Sequence, residues 1–233
     1  MIKKSQLLVV LILSSLGFGC SSDDAADSDQ SSNFDSSEYI YFISGKVNGE
    51  SFFYGQRFDD TVLNYQTVYS IPLEAATCAA SLDQGLDYKV SYGSSVYPNF
   101  DNEDTQPTFG IELVRFYRCS DPQSSTEVFN DLFALGSYEF AMDDASSGTM
   151  RQIGINYAPI ATGDSYYQSY GVLDSSNSFS ITSSQDTNTF LLGNLITQSQ
   201  LIEGEFSAKL YNEDDSADTV EITEGRFKIT ISK

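Results

Sequence analysis

The chain has 33 Asp and Glu, three Cys, 15 Tyr and no His or Trp among its 233 residues. Carboxylates, thiols, hydroxyls and phenols are therefore the groups with which it could do chemistry. Without His, neither a Ser–His–Asp nor a Cys–His nucleophile pair can form, and no His-containing zinc site. Paired carboxylates can hydrolyse glycosides, but an acid content this high produces chance pairs, and none lies in a recognisable motif. Ser is abundant, yet no Gly-x-Ser-x-Gly nucleophile elbow occurs. Lys46, Lys89, Lys209 and Lys228 stand singly on strand-like stretches. The pattern reads as non-enzymatic.

Two kinds of binding chemistry remain. Asn212, Asp214, Ser216 and Asp218 are spaced at every second residue, the spacing of oxygen ligands in a calcium loop. Ala217 and Thr223 occupy the places where an EF-hand needs Gly and Glu. Those departures favour a solvated acidic loop and no cofactor, with calcium the alternative. Asp101-Asn102-Glu103-Asp104 is a second loop of hard oxygen ligands, read the same way. Tyr166, Gln168 and Tyr170 alternate within Ser165 to Leu173. In a strand they share one face, with the two rings about 13 Å apart. Such rings could stack on a sugar chain or on peptide side chains, with Gln168 supplying hydrogen bonds. The competing reading is cross-strand packing.

Charge limits the partners. Twelve Lys and Arg against 33 acids leave a formal net charge of −21. Phosphate backbones would repel such a chain, so nucleic acid is excluded as a partner.

The first residues set the compartment. Lys3 and Lys4 precede an apolar run from Leu7 to Leu13, and small residues follow. That is the build of a secretory signal peptide, and it falls short of the roughly 20 apolar residues a spanning helix needs. Gly17-Phe18-Gly19-Cys20 resembles a bacterial lipobox, with Gly17 where the usual pattern has Leu. The resemblance implies that Cys20 is acylated and becomes the mature N-terminus, so that the membrane is a partner only through the lipid. With Cys20 used in this way, Cys78 and Cys119 remain as one pair in an exported chain, where a disulfide can form. It would close a loop of about forty residues and stabilise the fold by about 4 kcal/mol on the chain-entropy model.

Ser21 to Glu38 has seven Ser, five Asp, one Glu, the single aromatic Phe34 and no Lys or Arg. This composition predicts a disordered, self-repelling tether over residues 20–38. Residues 1–19 form the leader, and 39–233 a single folded body. In the body β-branched and aromatic residues alternate with polar ones between turn residues. Asn48-Gly49 marks an opening hairpin between Tyr39–Val47 and Glu50–Gln56. Further strands are expected over Thr61–Leu73, Leu86–Tyr92, Thr108–Cys119, Gly136–Met142, Met150–Pro159, Ser165–Leu173, Ser178–Ser183 and Thr189–Ile196. Ile202–Leu210 and Val220–Ile231 should form a half-buried closing pair, each with Glu-Gly-x-Phe, where Gly marks a bend. Ser124 and Glu127 fit a capping box and Gly136 a stop, predicting a helix that lays Phe129, Leu132 and Phe133 over an open end of the sheets. The fold class is all-β, an antiparallel β-sandwich with one short helix; a jelly roll or barrel is the alternative.

The lipobox, the acidic tether starting Asp23-Asp24, the "GKVNGESF" hairpin and the closing "GEFSAKLYN…VEITEGRFKI" hairpin together resemble small Bacteroidota surface lipoproteins of unknown function. That resemblance implies an outer-membrane lipoprotein exposed at the cell surface, the periplasmic face being the alternative, and it transfers no active site. The expected function is a non-enzymatic module binding polysaccharide or peptide. A structural or protein-interaction subunit of an envelope complex is the alternative.

Overall fold

A computed structural model describes residues 34–63, 65–70, 87–99, 101, 103–118, 125–140, 151–170 and 174–233. Cys20, Cys78 and Cys119 lie outside the described residues, as do the leader and residues 20–33 of the tether. Among the described residues no helix is long and apolar enough to cross a membrane.

The strands, in chain order, are β1 (Tyr39–Val47), β2 (Glu50–Arg57), β3 (Tyr65–Ser70), β4 (Asp87–Pro98) and β5 (Thr108–Arg118). Helix α1 (Ser125–Leu132) precedes β6 (Gly136–Ser137), β7 (Glu139–Phe140), β8 (Arg151–Ala158) and β9 (Tyr167–Gln168). Then come β10 (Ser178–Asp186), β11 (Thr189–Leu191), β12 (Asn194–Thr197), β13 (Ser199–Asn212) and β14 (Thr219–Ser232). Twelve of these form one sheet, with the continuous order β2-β1-β14-β13-β9-β8-β5-β4-β3 and β10, β6 and β7 branching from it. Its pairs are antiparallel except β7 with β8. Among the described residues the architecture is therefore all-β with one short α-helix. The sheet curls until β2 and β3 approach, and it comes close to closing as a barrel around one core. Across that seam Tyr41 donates its hydroxyl to the Tyr65 carbonyl, and the Tyr54 and Tyr65 rings lie 5.0 Å apart. The Tyr65 hydroxyl donates to Gln106 Oε1 at 2.9 Å.

Alternation explains the core. Phe109, Ile111 and Leu113 of β5 and Ile153, Ile155 and Tyr157 of β8 point inward. The long hairpin β13–β14 supplies Ile202, Phe206, Ala208 and Leu210 against Val220, Ile222, Phe227, Ile229 and Ile231. On β14 the inward set changes from even to odd numbers, which one extra residue must accommodate. The pairing slips there: Phe206 faces Gly225, but Ala208 faces Ile222. Glu224, in the left-handed region at φ 54, sits in this bulge, so both halves of β14 keep their apolar faces inward.

The repeated Glu-Gly-x-Phe motif pairs with itself. Gly204 lies opposite Phe227, and Phe206 opposite Gly225. A Cβ on Gly204 would come within 2.6 Å of the Phe227 ring and 2.0 Å of the Ser180 carbonyl oxygen. One on Gly225 would meet the Phe206 ring at 2.7 Å. Each ring thus occupies the space its partner glycine leaves.

Helix α1 buries Phe129, Leu132 and Phe133, as expected, with Phe129 edge-on to Tyr92 at 5.1 Å. Its C-terminal carbonyls find a partner in the Tyr138 hydroxyl, 2.7 Å from the oxygens of both Leu132 and Ala134. Among the described residues β3 begins at Tyr65 rather than Thr61, β4 runs on to Pro98 and β10 to Asp186, and three further expected strands differ in kind. Gly136–Met142 is broken at Tyr138 into β6 and β7, because that residue turns inward to cap α1. Of Ser165–Leu173, only Tyr167 and Gln168 lie in a strand among the described residues. Thr189–Ile196 is a separate hairpin, β11–β12, turning at Leu192-Gly193.

The tether also differs at its end. Phe34 packs against Tyr39, Phe42 and Phe53 with ring centroids 4.8–5.8 Å apart. The Arg226 guanidinium lies over the Phe34 ring, 4.9 Å from its centroid. The buried Lys228 amine donates to the Ser36 carbonyl at 2.9 Å, fixing the 3-10 turn Ser36–Glu38 on the outer face. Phe34 to Glu38, expected within the tether, are thus packed on the sheet, because the one aromatic of that segment has a ring cluster to enter.

Two outcomes follow from this packing. Gly204→Ala should destabilise the protein by roughly 3 kcal/mol, the upper range for overpacking, since the new methyl would collide with backbone. A denaturant melt with an unchanged midpoint would contradict the arrangement. The second concerns alkali. Burial pushes the phenols of Tyr54 and Tyr138 up to about 12, and that of Tyr65 higher still. In the unfolded chain these groups ionise near 10. Above that pH the unfolded state loses protons that the folded state retains, so stability falls from about pH 10 through the folded values. Tyrosinate absorbance followed alongside circular dichroism should show a late fraction of phenols ionising together with loss of β structure. Titration of every phenol near 10 in an intact fold would contradict this.

Candidate functional site

The outer face of β2, β1, β14, β13, β10 and β6 has an open groove of about 1010 Å³. Strand register builds its floor. Phe53 pairs with Ser44, Ser44 with Arg226, Arg226 with Glu205, Glu205 with Ser180, and Ser180 with Ser137. All six point to the same face, since partners across a ladder share a side. The adjoining row adds Lys46 opposite Ser51, and Ser178 opposite Ser207.

One end of the groove is aromatic. Phe34, Tyr39 and Phe53 stand there, and Phe53 stacks on Phe42 with centroids 5.8 Å apart. The other end is formed by β10 and β6, with Tyr138 and Asn177 lining it. The floor between them is polar. Lys46 Nζ lies 2.6 Å from Glu224 Oε1, holding the bulge residue against β1. Hydroxyls of Ser44, Ser51, Ser137, Ser178, Ser180 and Ser207 line the rest. Each hydroxyl can donate and accept, and the Arg226 guanidinium can donate in a planar fork.

The sequence-predicted tyrosines occupy another part of the surface, over β5, β8 and β9. The Tyr170 ring lies across Gly154, where a Cβ would come within 2.2 Å of it, and its hydroxyl donates to Glu112 Oε2. Tyr166 is more exposed, and burial together with the neighbouring Glu112 and Glu213 carboxylates raises its phenol. Both rings thus gather about Glu112. They are not two spaced planes on one regular strand, because only Tyr167 and Gln168 are in the ladder. Gln168 lies opposite Asn156 on one side and Tyr211 on the other. Ser169 explains the early end of β9: its hydroxyl accepts from the Ile155 N–H at 2.9 Å, and its own N–H donates to the Ile155 carbonyl at 3.0 Å.

The acidic loop of Asn212, Asp214, Ser216 and Asp218 is closed by its own hydrogen bonds. Asn212 Oδ1 accepts from the Asp214 N–H at 3.0 Å, and Asn212 Nδ2 donates to Asp218 Oδ2 at 3.0 Å. Asp218 Oδ2 also accepts from the Tyr167 hydroxyl at 2.8 Å, which raises that phenol. The loop therefore brings Asn212 and Asp218 together, while the N–H of Ala217 is taken by Asp215 Oδ1 at 3.0 Å. Among the described residues no three acidic, Cys or His side chains converge as a metal cage. In the second loop, the Thr162 hydroxyl lies 2.7 Å from Asp104 Oδ1.

Arg226, Glu205 and the serine rows were not singled out in the sequence. They are the outward positions of strands that were recognised for their inward ones. The signal that could have found them is the pairing of the two Glu-Gly-x-Phe motifs, which fixes Glu205 opposite Arg226 once each Phe is set against a Gly.

No protein-family model, curated protein or solved structure matches the chain.

Proposed function

We propose that the body is a non-enzymatic binding module for an extended, uncharged polysaccharide seated in the groove across β1, β14, β13 and β10. The observation that carries this reading is the groove's combination of an aromatic end wall with a floor of hydroxyls and one guanidinium. A sugar ring presents an apolar C–H face and a rim of hydroxyls. Phe53 and Tyr39 offer the first a flat apolar partner. The serine hydroxyls and Arg226 match the second, since each sugar hydroxyl both donates and accepts. The charges on the floor occur as cross-strand partners of opposite sign, Lys46 with Glu224 and Arg226 with Glu205, which suits a ligand without net charge. An open trough also fits a chain that continues beyond both ends, whereas a small metabolite favours an enclosed cavity.

In this reading the protein is held at the outer membrane by acylated Cys20 and displays the groove at the cell surface. The support is the resemblance of residues 17–20 to a lipobox and the acidic spacer behind it.

Affinity electrophoresis of the full chain in gels containing laminarin, xylan, mannan or starch tests the reading. Retardation is expected with at least one of them. Arg226→Ala should weaken that binding roughly tenfold, the loss of one charge-assisted hydrogen-bonding group. Tyr166→Ala, outside the groove, should leave it unchanged. Retardation by none of the four, or retardation abolished by Tyr166→Ala and indifferent to Arg226→Ala, would overturn the assignment of the groove.

A further inference from the structure

The β11–β12 hairpin stands apart from the main sheet as a two-stranded unit, and its large apolar side chains face solvent. Phe190 is 61 % exposed, Leu191 62 % and Leu192 93 %, with Leu195 and Ile196 also more than half exposed. Phe190 pairs with Leu195 and Leu191 with Asn194, so apolar side chains leave both faces of the ribbon as well as its tip. No charged residue occurs between Asp186 and Glu203, sixteen positions in a chain of net charge −21.

The turn adds an independent observation. Leu192 and Gly193 have φ of 51° and 81°, the two-residue turn that requires left-handed backbone at both positions. The same chain makes this turn elsewhere with Asn48-Gly49, at 51° and 88°. Asn or Gly is the ordinary occupant of the first position, and a branched apolar residue there is strained. A Leu held in this conformation at the most exposed point of the hairpin contributes nothing to the core.

We propose that the hairpin tip inserts shallowly into a lipid bilayer surface. A protein partner would contact one face of the ribbon and leave the other in water. Lipid surrounds a ribbon on both faces and at its tip, which matches where the apolar side chains lie. A second copy docking here would need about 20–30 residues a side for a stable interface, far more than the nine from Thr189 to Thr197. The neutrality of residues 187–202 fits the same occupant: an acidic body approaches a bilayer most readily through its uncharged part. Depth is limited by the backbone. Among the described residues no other strand pairs with either edge of the ribbon, and hydrocarbon does not tolerate the N–H and C=O groups left there, so the tip side chains enter and the strands stay at headgroup level. Register places the base of the hairpin at the end of the sheet where β1 begins and β2 ends. Phe58, which follows β2, is also strongly exposed there.

The chain has no Trp, so an introduced indole reports alone. The full chain with Leu192→Trp, and separately with Ser216→Trp in the loop at the opposite end of β14, is mixed with phosphatidylcholine–phosphatidylethanolamine vesicles. The Leu192→Trp emission should shift to the blue and be quenched by lipids brominated near the headgroup, while Ser216→Trp stays solvent-like, however the rest of the chain is held at the vesicle. Leu192→Asn should raise the melting temperature by relieving the turn, yet weaken vesicle contact, read as at least a tenfold loss of partitioning from removing one buried Leu. Emission from Leu192→Trp that ignores vesicles would overturn the proposal. So would a blue shift that precedes vesicle addition and grows with protein concentration, which points to a second copy, or equal quenching at both sites.

Discussion

Two phenylalanines and two glycines across one strand pair hold this fold in register. Phe227 fills the space over Gly204, and Phe206 the space over Gly225. Moving β13 by one residue against β14 would put rings against Cβ atoms and turn the apolar face of each strand outward. The bulge at Glu224 depends on the same contacts. It falls directly beside Gly225, where the pairing must gain a residue to keep Val220 and Ile222 inside along with Phe227, Ile229 and Ile231. β1 pairs with β14 through that bulge, and β10 and β9 pair with β13 on its other edge. The position of nearly every other strand is set outward from this hairpin.

The groove is a consequence of this register rather than a separate construction. Once Phe206 faces Gly225, Glu205 must face Arg226, and Ser44 and Ser180 extend the row on either side. Inward residues specify the fold, and their neighbours one position along form a polar surface at no cost to the core. The Lys46–Glu224 pair closes over the bulge from this outer side. It is well exposed, so it orders the floor more than it stabilises the protein.

What was legible in the sequence follows from the same distinction. The β1–β2 hairpin, the closing β13–β14 pair and helix α1 were visible, because Asn48-Gly49, period-two alternation and the spacing of Phe129, Leu132 and Phe133 are local signals. The β11–β12 turn was not, since Leu192-Gly193 carries no turn signature and the flanking residues read as one apolar strand. Tyr138 was hidden for another reason: its inward turn depends on the end of α1, several residues back. Tyr166 and Tyr170 were read as two spaced rings on one strand face, whereas their placement depends on Gly154 and Glu112 of other strands. The groove was out of reach, because it is assembled from six strands whose register no single segment encodes.

The docking of residues 34–38 gives the fold a mechanical property. The segment runs along the outer face and then reverses into β1, so tension arriving from the N-terminal side does not act on β1 first. It must draw Phe34 out of its ring cluster and away from Arg226, and then break the Lys228 bond to Ser36, before Tyr39 is loaded. The strand β1 lies between β2 and β14 and would otherwise be peeled from its first rung, one hydrogen bond at a time. Phe34 and Ser36 act as a strain relief on the cord, taking up a tug before it reaches the sheet.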